Sequence, residues 1–125
     1  MKLNNVFRFH AILAFSYAVL MIFAPQFTMG LLTTQSLNPV GLDITKILGA
    51  AILFVGIMAW GASTLTDSAA RRIIARGLLI YTALGAIIAL LGQIAGNWNV
   101  LGWSNVVVYL TVAIGYTYFL FIKPE

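Results

Sequence analysis

Apolar residues in this chain gather into four long, almost unbroken stretches, with polar residues confined to the joints between them. The stretches run from Phe7 to about Ala24, from Ile44 to about Leu65, from Ile73 to about Gly96, and from Trp103 to Ile122. A helix crossing a hydrocarbon core about 30 Å thick needs roughly 20 residues, and each stretch meets that length. The strict apolar/polar alternation of an outer-membrane barrel strand is absent. In hydrocarbon the remaining way to satisfy every backbone group is the α-helix. The pattern therefore predicts an all-α protein, a four-transmembrane-helix bundle in one integral membrane domain spanning residues 1–125.

Composition supports the same medium. Hydrophobic residues make up 62% of the chain and charged residues 8%, with a mean hydropathy of +1.00. A water-soluble domain carries about a quarter charged residues. The net charge of +4 rests on cations too few and too scattered for a phosphate-tracking face, so no nucleic acid partner is expected. Membrane lipids are the expected counterpart. There is no cysteine, which removes disulfides, thiolate chemistry and iron–sulfur clusters. Lys2 and Arg8 before an apolar run resemble the start of a signal peptide. Phe23-Ala24-Pro25-Gln26 is a poor cleavage site, however, and the first stretch reads as a retained span.

The cations then set the orientation. Lys2 and Arg8 precede the first span, Arg71, Arg72 and Arg76 lie at the junction of the second and third, and Lys123 follows the fourth; Lys46 is the exception. Four crossings put the first six on one side, and the positive-inside rule makes that side cytoplasmic, with both termini there. The expected location is the cell inner (plasma) membrane. Arg71, Arg72 and Arg76 are expected to meet anionic headgroups.

The joints carry turn chemistry. Asp67 or Ser68 can cap the third helix and Asp43 the second. Asn38-Pro39 and Gly41 mark turns in the connection from Gln26 to Leu42. Small residues mark where helices touch in lipid. Gly85, Ala89, Gly92 and Gly96 fall on one face of the third span, Gly49, Gly56, Ala59 and Ser63 on one side of the second, and Ala11, Ala14 and Ala18 on the first. These faces serve the bundle core, a homo-oligomer or a membrane protein partner. Tyr109, Val112 and Tyr116 share a face of the fourth span and read first as core filling with an interfacial aromatic belt, and second as an aromatic cradle for an apolar ligand or pigment.

Ionisable groups are nearly missing from the mid-membrane region, which argues against proton-coupled transport. Ser16, Tyr17, Thr82 and Thr111 can satisfy themselves or a neighbouring backbone. His10 stands alone among histidines and reads as a structural hydrogen-bonding group, with no metal site, cofactor or catalytic residue expected. Asp43 and Lys46, three apart on a helix, can pair. With Gln93, Asn97 and Asn105 they form a candidate polar mouth on the outer side for a headgroup or small polar ligand.

The runs Thr45-Lys46-Ile47-Leu48-Gly49-Ala50-Ala51, Trp60-Gly61-Ala62, Asp67-Ser68-Ala69-Ala70-Arg71-Arg72, Leu101-Gly102-Trp103-Ser104 and Gly115-Tyr116-Thr117-Tyr118-Phe119 resemble elements of small bacterial four-helix membrane proteins. These are the uncharacterised DoxX-like or domain-of-unknown-function type. Such proteins often carry Arg where Lys46 stands, which keeps a cation there. The resemblance implies a four-helix fold and lends no activity. The expected function is a non-enzymatic structural or accessory bundle; the alternative is a lipid or small-amphiphile binding or transport protein that uses the outer polar mouth, and an intramembrane enzyme ranks third.

Overall fold

Capping chemistry sets the helix boundaries. The computed structural model describes residues 2–125. The first long helix, α1, runs Leu3–Phe23 and stops before Pro25, which opens a short helix α2, Pro25–Leu32. Proline has no N–H to continue the ladder. Thr28 repairs the break: its hydroxyl donates to the Ala24 carbonyl at 2.7 Å and to the Leu20 carbonyl at 3.1 Å.

The helix α3 runs Pro39–Thr64. Asn38 caps it, with Oδ1 accepting from the Gly41 N–H at 2.7 Å, and Pro39 takes the first helical position, where an N–H has no partner anyway. The expected start at Ile44, capped by Asp43, is thus corrected. Asp43 lies inside the helix and is exposed. Asp67 does cap the next helix, α4, Ser68–Ile94, its Oδ1 accepting from the Ala69 N–H at 2.8 Å. A short 3₁₀ turn, Val100–Gly102, leads into α5, Trp103–Thr117. The chain then widens into one π turn, Tyr118–Ile122, closed by the Lys123 N–H on the Tyr118 carbonyl at 2.8 Å. No strand forms among the described residues. Four helical stretches are long and apolar enough to cross a membrane: α1, α3, α4 and Val100–Ile122. That is the mark of a multi-pass membrane protein.

The four long helices form two close pairs. α1 packs chiefly on α3 and α4 on α5, while α3 and α4 touch far less. Glycine lets the first pair approach. A Cβ at Gly49 would lie 2.9 Å from Ile22, and one at Gly56 would lie 2.8 Å from the Phe15 ring. Rising numbers on α3 thus meet falling numbers on α1, so the two run antiparallel. Gly85 plays the same part for α4 and α5, facing the Tyr109 ring at 2.6 Å from a built Cβ.

Both described chain ends and the α3–α4 turn share one end of the bundle, the terminal end. There the Glu125 carboxylate accepts from the Leu3 N–H at 3.3 Å and stands 3.8 Å from the Arg71 guanidinium. Phe7, Ala11, Ala59, Leu78, Val112 and Tyr116 fill the core of this half. At the opposite, far end the two pairs separate.

Candidate functional site: a lateral chamber with a polar floor

A chamber of about 560 Å³ fills the gap between the helix pairs in the far half of the bundle. Its size falls in the range of small-molecule sites. Its walls are apolar side chains of α1, α3, α4 and α5, such as Met21, Ile52 and Ala89. Its roof is α2 together with Trp98.

Backbone pairing holds the roof closed. The Asn99 N–H donates to the Leu32 carbonyl at 2.8 Å and the Thr34 N–H to the Asn97 carbonyl at 3.2 Å. Asn99 Nδ2 donates to the Leu31 carbonyl at 2.6 Å, and Thr34 Oγ1 to the Gly96 carbonyl at 3.0 Å. The two far-end connections are zipped together. Trp98 can turn inward because Gly92 and Gly102 leave it room: a Cβ at either would collide with its side chain.

The side is open. Ile44 and Leu48 on α3, and Leu84 and Ile88 on α4, line the chamber and are also exposed on the outer surface of the bundle. The chamber is therefore continuous with the surface that faces hydrocarbon, through the slot where α3 and α4 diverge.

Towards the middle of the bundle the chamber narrows to a niche of about 50 Å³, lined by His10, Tyr17, Tyr81, Thr82, Asn105 and Tyr109 among others. Tyr17, Ile52, Tyr81, Asn105 and Tyr109 line both spaces, so the niche is the chamber's floor. Tyr17 donates its hydroxyl proton to Asn105 Oδ1 at 2.9 Å. The Tyr81 and Tyr109 hydroxyls lie 3.3 Å apart. His10 stacks on Tyr81 with centroids 6.2 Å apart and its Nδ1 meets the Tyr116 hydroxyl at 3.0 Å. Among the described residues, no Lys, Arg, Asp or Glu lines the chamber or the niche.

The residues of the expected polar mouth are dispersed. Asp43 and Lys46 do pair, at 3.6 Å, but both are exposed, and Lys46 borders a separate surface hollow beside Phe23 and Phe27. Gln93 is tied into the roof, with Nε2 donating to the Asn99 carbonyl at 3.0 Å and Oε1 buried without a partner among the described residues. Asn97 is exposed and contributes its backbone carbonyl to the roof pairing. Asn105 alone reaches the chamber. Ser16, Thr82 and Thr111 satisfy their hydroxyls on carbonyls of their own helices. Tyr17 does not, and bonds across to α5 instead. His10 pairs with Tyr116, while Asp67 is occupied as a cap.

The four small residues of the third span have different surroundings. Gly85 serves α5, Ala89 lines the chamber, and Gly92 makes room for a loop tryptophan. Gly96 lies beyond the end of α4 with φ +78°, a left-handed turn position that favours glycine. At the terminal end, Arg71 is half-buried. It donates to Asn4 Oδ1 and lies 6.0 Å from the centre of the Phe7 ring. Arg72 donates to the Glu125 backbone carbonyl at 3.1 Å, and Arg76 is exposed.

Sequence reasoning named Asn105 but not the niche around it. A further signal was three tyrosines, 17, 81 and 109, set within the apolar spans, where a phenol needs a partner.

The model of one protein family, described as a domain of unknown function (DUF8292), matches residues 1–122. No curated protein and no solved structure matches the chain.

Proposed function

The chain thus belongs to the family described as a domain of unknown function (DUF8292), and from that premise we propose that it binds an apolar chain of a lipid or small amphiphile, drawn sideways from the outer half of the plasma membrane. One observation carries the reading: Ile44, Leu48, Leu84 and Ile88 belong both to the chamber wall and to the surface that meets hydrocarbon. An acyl chain can slide between them without crossing water. A cavity this large and this apolar does not hold ordered water, and left empty its lining forfeits dispersion contacts. The outer assignment follows from the cations, six of which sit towards the terminal end. At that end Arg72 and Arg76 face the inner headgroups. Kinship with small bacterial DoxX-like proteins is part of the same reading, carried by the runs 45–51, 67–72 and 101–119.

An accessory role through small-residue faces has less support. Gly49, Gly56, Gly85 and Gly92 spend their missing side chains on neighbours within this chain, so those faces are not offered to a partner.

Native mass spectrometry of protein released gently from its membrane tests the proposal. A discrete lipid or amphiphile should remain bound at one per chain. Ala89→Phe, which fills the chamber, and Leu84→Trp, which blocks its exposed rim, should each reduce that occupancy at least severalfold while the helical melting transition is kept. A wild-type protein that carries no such molecule, or variants that carry it equally, would refute the reading.

A further inference from the structure

We infer that the molecule held in the chamber is a long-chain compound bearing one uncharged oxygen acceptor, a ketone, ester or alcohol, which it presents to the niche at His10, Asn105 and the Tyr81–Tyr109 pair. This rests on the chamber reading above and adds the chemistry of the occupant.

Asn105 uses its amide oxygen on the Tyr17 hydroxyl, which leaves its amide N–H groups over. Tyr81 and Tyr109 have two O–H groups and one contact between them, so one proton is left over. Tyr116 is wholly buried, and its O–H has one partner among the described residues, His10 Nδ1. A buried hydroxyl that failed to donate would be costly, so Tyr116 donates and His10 carries its own proton on Nε2. Three groups with donor capacity to spare, Asn105, the Tyr81–Tyr109 pair and His10, thus line one small space in the middle of the bundle. A donor left over in so apolar a setting gains from an oxygen acceptor brought to it.

Charge narrows the class. Among the described residues no cation lines the niche or the chamber, so a carboxylate or phosphate would enter uncompensated, at a severe desolvation cost. An ordinary phospholipid cannot bring its headgroup to that depth. A carbonyl or hydroxyl oxygen sheds far less hydration, and its chain fills the apolar chamber above.

Trp98 reads the test directly, because it lines the chamber. In a Trp60→Phe, Trp103→Phe protein it is the one remaining tryptophan. A long-chain 2-ketone brominated along its chain should quench it saturably in nanodiscs. Unlabelled competitors of equal length then rank the classes: the 2-ketone should displace the probe at about tenfold lower mole fraction than the alkane, the worth of one or two net hydrogen bonds. The fatty acid at pH 8 should compete worse than the ketone. In Asn105→Leu and in Tyr109→Phe the ketone's advantage should shrink while alkane competition is kept. Equal competition by ketone and alkane, or a fatty acid that outcompetes the ketone, overturns the acceptor inference and leaves the chamber reading standing. A probe that never quenches Trp98 saturably overturns both.

Discussion

Gly56 has no space for even a methyl group. A Cβ there would come within 2.8 Å of two Phe15 ring carbons and 3.3 Å of the Ala14 Cβ. Helices in lipid gain little from the hydrophobic effect against one another and depend on close contact, so the loss of this contact cannot be offset by burial. Gly56→Leu should destabilise the protein by about 1–3 kcal/mol, the usual cost of overpacking, seen as a lower melting midpoint in detergent. Gly61 has open space at the same test, and Gly61→Leu should leave the midpoint nearly unchanged. Equal midpoints for the two variants would remove Gly56 as the point of α1–α3 approach. Small residues are legible in a sequence, but their partners are not. Gly56 meets a helix, Gly92 meets a loop tryptophan, and Gly96 meets nothing and serves the turn. Spacing alone gives these three positions the same appearance.

At the level of elements, helix starts were the least legible feature of the fold. Hydropathy places the apolar body of α3, yet its first turns, Pro39 to Asp43, are set by an asparagine and a proline whose role is local hydrogen bonding. The same holds for α2, eight residues that a hydropathy reading leaves as connection because Pro25 ends the apolar run. Asn38→Ala should cost about 1 kcal/mol of helix stability. The loss belongs to the first turn of α3, so amide exchange at Gly41 and Leu42 should accelerate while exchange deep in α3, near Ala59, stays slow. Uniform acceleration along α3 would mean that the cap supports the whole helix rather than its start. Leu37 and Gly41 border the chamber, so a frayed start also loosens the roof and should weaken retention of the bound molecule.

For the whole molecule, the medium and the crossing count were readable because they depend on long-range sums of hydropathy and charge. The chamber was not, because it arises from two helix pairs diverging, and its floor joins residues from α1, α4 and α5 that no sequence spacing connects. Which leaflet the chamber opens to depends again on a sum: Lys2, Arg8, Arg71, Arg72, Arg76 and Lys123 against Lys46. Because the chain has no cysteine, single cysteines report the answer without background. Ser36 and Thr66 are exposed at opposite ends of α3. If the arginines hold the terminal end in the cytoplasm, Ser36→Cys should react with a membrane-impermeant maleimide in intact cells and Thr66→Cys only after permeabilisation. Replacing Arg71, Arg72 and Arg76 together by Gln removes three of the six aligned cations, and labelling at both positions should then become mixed. A wild-type pattern with Thr66→Cys labelled from outside would invert the molecule. The chamber would then open to the inner half of the bilayer, and its ligand would be drawn from lipids of the cytoplasmic side.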